Sequence, residues 1–140
     1  MAQTLHVDIV SAEGEIFSGE AKMVFLPAAE GEIGVAPRHA PLLALLKAGE
    51  VRVQPVEGAE LSFYVGGGAL EVQPSRVTVL ADTAARAADL DEAAALAARQ
   101  KAEEALAAKV DKMDLAEAQA ELIRAAAQLK LIQKLRKIRG

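Results

Sequence analysis

RVTVLADTAARAADLDEAAALAA, residues 76–98, is where this chain changes its rule of construction. Val77 and Val79 alternate with Arg76, Thr78 and Leu80, the period of a strand with one face buried. Beyond Thr83 that alternation stops and the chain becomes Ala, Leu, Glu, Lys, Arg and Gln, the strongest helix formers. Two architectural units therefore meet near residues 82–90. We place them at 1–84 and 85–140.

Upstream of the junction everything favours strands. All 5 Pro, all 3 Phe, the 1 Tyr and every Gly except Gly140 fall within the first 74 residues. Leu5, Val7 and Ile9 alternate with His6, Asp8 and Val10; Val51 and Val53 with Arg52 and Gln54; Leu61, Phe63 and Val65 with Ser62 and Tyr64; Leu70 and Val72 with Glu71 and Gln73. Turn signals punctuate them at Glu13-Gly14, Ser18-Gly19, Glu30-Gly31, Ala48-Gly49, Glu57-Gly58, Gly66-Gly67-Gly68 and Pro74-Ser75. Short alternating segments at this spacing predict an all-β N-terminal domain, a β-sandwich or barrel, of which we take the antiparallel β-sandwich.

Downstream, the same punctuation occurs twice. Asp89-Leu-Asp-Glu92 and Asp114-Leu-Ala-Glu117 each set an Asp at a helix N-cap and a Glu three residues on. They predict helices from about Leu90 to Val110 and from about Leu115 to Ile138, joined by a turn at Lys109, Asp111, Lys112 and Met113. The pair is an antiparallel α-helical hairpin. Its seam is read as Leu96, Leu106 and Val110, with alanines between, against Leu115, Leu122, Leu129 and Arg136 at intervals of seven, interleaved by Gln119, Ala126 and Ile132. Alanine buries little apolar surface, so the expected docking energy is modest while each helix is intrinsically stable.

Composition excludes several kinds of chemistry. With no Cys there is no disulfide framework, thiolate nucleophile or sulfur-ligated metal, and 2 His leave little for a histidine site. A net charge of −4 argues against nucleic acid and anionic lipid as partners of the whole chain. No apolar run is long enough to enter and span a bilayer. The start, MAQTLHVDIV, lacks the basic region of a signal peptide, so the expected compartment is the cytoplasm.

The charge is also unevenly shared. Residues 1–83 carry eleven acids and five bases, whereas residues 84–140 carry nine acids and eleven bases. Lys130, Lys134, Arg136, Lys137 and Arg139 follow one another with no acid among them. They either complement the negative end of a helix dipole or meet an acidic protein partner. Leu131, Leu135 and Ile138 widen the apolar face there, which favours a partner.

No constellation that carries catalysis is present: no phosphate-binding loop, no nucleophile elbow, no zinc-binding helix motif. Gly66-Gly67-Gly68 precedes another strand rather than a helix and reads as a turn or bulge where backbones pack closely. Glu30 and Glu32 read as a solvated loop. His39, framed by Pro37 and Pro41, reads as part of a rigid surface turn, and His6 as an outward-facing strand residue.

Taken together, several segments resemble the epsilon subunit of bacterial F-type ATP synthase. They are Leu5 to Glu13, Glu30-Gly-Glu-Ile-Gly-Val-Ala-Pro37, His39-Ala-Pro-Leu-Leu43, Tyr64-Val-Gly-Gly-Gly68, Leu70 to Pro74 and Val77 to Ala84, followed by the helical hairpin. The resemblance spans essentially the whole chain. It implies a noncatalytic rotor subunit of the central stalk, peripheral on the cytoplasmic face of the inner membrane. Its sandwich would dock on the gamma subunit and the c-subunit ring, with Glu32 and His39 on neighbouring turns as the ring contacts. Its hairpin would inhibit ATP hydrolysis when extended against the alpha and beta subunits, Lys130, Lys134, Arg136, Lys137 and Arg139 making the contact.

Some members of that family bind ATP through [IL]-D-x-x-R-A at the start of the first helix. Here Leu90-Asp91-Glu92-Ala93-Ala94-Ala95 keeps Asp91 but has Ala94 at the arginine position, so no cofactor is expected. Arg86 and Arg99 are the nearby candidates to compensate. The alternative to a rotor subunit is a standalone adaptor or nucleotide-responsive binding module built on the same two units.

Overall fold

The computed structural model describes residues 3–108 and 112–139. Seven strands come first: β1 (Leu5–Ser11), β2 (Gly14–Ala28), β3 (Gly31–Val35), β4 (Leu42–Pro55), β5 (Leu61–Gln73), β6 (Arg76–Ala81) and β7 (Ala84–Arg86). A 3-10 turn at Ala87–Asp89 leads to α1 (Glu92–Ala107) and α2 (Lys112–Arg139). Two compact units result, Met1–Arg86 and Ala87–Gly140. Because β7 pairs with β5, Ala85 and Arg86 lie in the sheet rather than in the helical unit.

The strands form one sheet in the order β1-β6-β5-β4-β2-β3, and β1 also pairs with β2, which closes the sheet on itself. All pairings described are antiparallel except β1 with β6, which is parallel. The closed sheet wraps a core of Leu5, Val7 and Ile9 from β1, Val24 and Leu26 from β2, Val51 and Val53 from β4, Phe63, Val65, Leu70 and Val72 from β5, and Val77 and Val79 from β6. The alternation legible in the sequence is this inward face.

Three of the expected turns are not turns. Ser18-Gly19, Ala48-Gly49 and Gly66-Gly67-Gly68 lie inside β2, β4 and β5, which are 15, 14 and 13 residues long. In β4 and β5 what happens there is a change of face. In β4 the buried positions pass from Leu46 to Val51, and in β5 from Val65 to Leu70, odd steps that an uninterrupted pleat does not allow. The two strands stay in register throughout, Leu46 opposite Gly68 and Gly49 opposite Val65, so they bend together. This is a corner, where one sheet folds over to form the second layer of the sandwich.

Gly68 explains why the corner needs glycine. Its φ is +138°, and a Cβ there would stand 2.1 Å from the Leu80 carbonyl oxygen of β6. The backbone approach that the sequence suggested is present, but inside a continuous strand.

In the helical unit the cap is displaced from the expected site. Asp91, not Asp89, is the N-cap of α1, and its Oδ1 accepts from the Ala94 N–H at 3.1 Å. Asp89 belongs to the preceding 3-10 turn. The α2 helix begins by Lys112, so Asp114 is an interior residue and not a cap, and Lys112 and Met113 are helical rather than part of a turn. Lys109, Val110 and Asp111, assigned to the turn and the seam, lie outside the described residues.

The seam also differs from the expected one. Ala95 and Ala102 of α1 are buried, while Leu96 is exposed; on α2 the buried positions include Ala118, Ala125 and Leu129, while Gln119 and Ala126 are exposed. Ala98, Ala102 and Ala105 face Ala118 across a shallow cleft bordered by Lys101, Glu117 and Glu121. Small residues spaced three or four apart let the helices approach closely, and they do so with little buried apolar area.

Candidate docking site

The outer surface of the sandwich carries an apolar groove. Its walls are the tip of the β2–β3 hairpin, Ala28 to Ile33, and the start of β4, Leu42 to Leu45; its volume is about 500 Å³. The Ala29 N–H donates to the Leu45 carbonyl at 2.8 Å and fixes one wall to the other. Leu43 and Leu45 are 76% and 70% exposed, which a closed core does not require.

From Leu45 the apolar surface continues across the sheet. Leu45 faces Ala69, Ala69 faces Leu80, and Leu80 faces Val10, one residue each from β4, β5, β6 and β1 on the outer face. Leu80 is 56% exposed. The next row outward is more polar, with Glu71, Thr78 and Asp8 in register beside Leu43.

Glu32 lines this groove, and Glu32 and His39 are not on neighbouring turns. Glu32 is in strand β3, opposite Pro27, and His39 is in the loop after the other end of that strand, its N–H donating to the Ala36 carbonyl at 3.2 Å. Glu32 Oε1 accepts from Arg52 Nη2 at 3.0 Å. The Arg52 guanidinium lies 4.3 Å from the Phe25 ring centroid, and its Nη1 stands 3.7 Å from Glu60. One arginine thus reaches across β2 from β4 to the edge strand.

In the His39 loop, Arg38 adopts φ +70° and its N–H donates to the Pro74 carbonyl at 2.8 Å. His39 Nδ1 stands 2.7 Å from the Ala40 carbonyl. A carbonyl only accepts, so Nδ1 carries the proton and Nε2 is the free acceptor of the neutral ring.

On α2, Lys130, Lys134, Arg136 and Lys137 are exposed; the side chain of Arg139 lies outside the described residues. Arg136 is not a freely presented cation, because its Nη2 is ion-paired with Glu92 at the start of α1. Ile138 is exposed beside these bases, Leu135 is half-buried and Leu131 is buried, so only part of the expected apolar widening is available on the surface. Asp91 serves α1 as its cap, Arg86 lies 5.4 Å from the Phe63 ring, and Arg99 pairs with Glu103 at 3.8 Å.

One cluster has no counterpart in the sequence-based expectations. His6 Nδ1 stands 2.7 Å from Glu20 Oε2, and Nε2 stands 3.0 Å from both Asp8 Oδ1 and Ser18 Oγ. The order Ser18, His6, Glu20 has the connectivity of a nucleophile, a base and its orienting acid. It is not one chemically. The Ser18 hydroxyl donates to Asp8 at 2.7 Å, so it offers no proton to His6. The available signal was the repeat of polar residues two apart on one outward face, His6 with Asp8 and Ser18 with Glu20.

The profile of the family described as "ATP synthase, Delta/Epsilon chain, beta-sandwich domain" matches residues 4–87, and that of its "long alpha-helix domain" matches residues 88–133. The ATP synthase epsilon chain of Nitrosococcus oceani is 66% identical over 140 residues, covering 100% of both chains. That of Alkalilimnicola ehrlichii is 63% identical over 134 residues, covering 96% of each. Among solved structures, a chain of the Euglena gracilis mitochondrial ATP synthase (OSCP/F1/c-ring) has a TM-score of 0.70 at 18% identity, covering 100% of this chain and 83% of that one. A chain of the Tetrahymena thermophila mitochondrial ATP synthase (central stalk/c-ring) gives 0.59 at 13% identity, covering 93% and 97%.

This chain belongs to the ATP synthase delta/epsilon chain family. Within it the chain groups with the epsilon chains, noncatalytic subunits of the synthase complex. No helix among the described residues is long and apolar enough to cross a membrane.

Proposed function

We propose that the chain is a rotor subunit of the central stalk, peripheral on the cytoplasmic face of a bacterial inner membrane, in a proton-translocating synthase. Its sandwich, residues 1–86, couples the c-subunit ring to the gamma subunit, and its hairpin, residues 87–140, restrains ATP hydrolysis. The observation that carries this reading is the apolar outer surface of the sandwich, Leu42 to Leu45 with Leu80, on a domain whose own core is already closed. We assign the groove, with Glu32 in its wall, and the His39 loop to the polar loops of the ring, and the row Val10, Leu80 and Ala69 to the gamma subunit.

The arm reading is supported by the alanine seam, which holds the helices together weakly, and by the exposed bases near the end of α2. Extension would release Arg136 from Glu92 and offer it, with Lys130, Lys134, Lys137 and Arg139, to an acidic segment of the alpha and beta subunits.

Association of the purified chain with a gamma subunit bound to a c ring tests the docking. Leu43→Asp and Leu80→Asp, both at exposed positions, are expected to leave the fold intact and weaken association about tenfold or more. Unchanged association by both would remove the assignment.

A further inference from the structure

We propose that His6 is the centre of a pH-reading clasp that fastens the first strand to the second and slackens as the medium turns alkaline. The position of β1 gives the clasp its leverage. This strand alone closes the sheet, pairing antiparallel with β2 on one side and parallel with β6 on the other. His6 sits opposite Glu20 of β2 and Arg76 of β6, so one ring stands over the seam.

The groups bearing on the ring come from each of these strands. Glu20 arrives from β2, Asp8 from β1 itself and Arg76 from β6; Arg76 is ion-paired with Asp8, and Thr4 donates to the other oxygen of Glu20 at 2.8 Å. Both ring nitrogens therefore face carboxylate oxygens. Only the imidazolium can donate from both, to Glu20 through Nδ1 and to Asp8 through Nε2. A neutral ring has one N–H, so the cross-strand bond to Glu20 either loses its donor or survives without charge assistance while the Nε2 lone pair faces Asp8 of the same strand.

The direction of the pH dependence follows. The Glu20 bond raises the pKa of His6, with Asp8 adding to it against the opposing effects of burial and Arg76. The stabilisation is fully present below about pH 6.5, the ordinary value for an unfolded His, and is lost as pH rises through the higher folded value. The carboxylates do not limit it at neutral pH. Burial pushes Asp8 upward, but the bonds from Ser18 and His6 hold it below its usual range, and the His6 and Thr4 bonds do the same for Glu20.

Amide hydrogen exchange on the full chain tests the clasp, with His6 followed by NMR titration. Between about pH 6 and about pH 8.5, after correction for intrinsic exchange, protection of Val7 to Ile9 relative to Val51 to Val53 should fall about two- to fivefold, the range for a part-exposed ion pair. In His6→Gln that ratio should stay constant, and in Glu20→Gln the His6 titration should move to lower pH. A constant ratio in the unmodified chain, an equal fall in His6→Gln, or an unmoved titration in Glu20→Gln would each overturn the proposal.

Discussion

Arg52 of β4 donates to Glu32 of β3 at 3.0 Å although the two strands are not neighbours, because the guanidinium lies over Phe25 of the intervening β2. The edge strand is thereby tied to the second strand inward. Arg52→Ala should destabilise the chain by about 1 kcal/mol in urea unfolding, combining a part-exposed ion pair with a cation–π contact. Arg52→Lys should recover less than half, since a lysine cannot stack flat on the ring and reach Glu32 at once.

The corner glycine should be the least replaceable residue of the sandwich. A methyl at Gly68 meets the Leu80 carbonyl at 2.1 Å, whereas one at Gly58 meets nothing within 4 Å, and both have positive φ. Gly58→Ala should cost only the backbone strain, about 1–2 kcal/mol. Gly68→Ala should cost about 4 kcal/mol or more, enough to leave much of the chain unfolded in a thermal melt.

Asp91→Ala removes the side-chain acceptor from the first turn of α1 and should lower hairpin stability by about 1 kcal/mol, with Asn at the same position keeping most of it. Far-UV circular dichroism during urea unfolding resolves the difference. Since Asp91 is spent on the cap and residue 94 has no guanidinium, calorimetry with ATP should show no micromolar binding by the chain.

The exposed pair of Arg136 and Glu92 should contribute well under 1 kcal/mol to the hairpin. Glu92→Gln should therefore leave the fold unchanged while raising the share of separated helices, read as a longer mean distance between spin labels at Gln133 and Leu96. In the assembled enzyme, replacing Lys130, Lys134 and Lys137 with Ala should increase ATP hydrolysis; an unchanged rate would remove the electrostatic part of the inhibitory reading.

Fold class was legible, and so were the strand segments whose inward face keeps a period of two, as in Leu5, Val7 and Ile9 or Val77, Val79 and Ala81; β2 and β3 were not. Nor were strand lengths. A glycine that ends a strand and one that bends it look alike in sequence, and the difference at Gly66 to Gly68 is decided by β4 and β6 on either side. The alanine-rich character of the helical seam is legible in the sequence, as are Ala102 and Leu129 within it, but its register is not: Ala95 is buried and its neighbour Leu96 lies outside.

Glu32 and His39 could be placed at the surface from their surroundings. That Glu32 has a partner could not, since Arg52 lies twenty residues away and meets it only across β2. The His6 cluster was hidden for the same reason: its members come from residues 4, 6, 8, 18, 20 and 76.

The shared bend of β4 and β5 has a mechanical consequence. Both layers of the sandwich are spun from the same continuous strands, so a twisting load applied to one layer passes to the other along covalent backbone and does not depend on side chains gripping across the core. Shear between the layers must stretch or re-register those strands, which makes the domain a stiff collar under torque even though its core, built mostly of valine and leucine, is small.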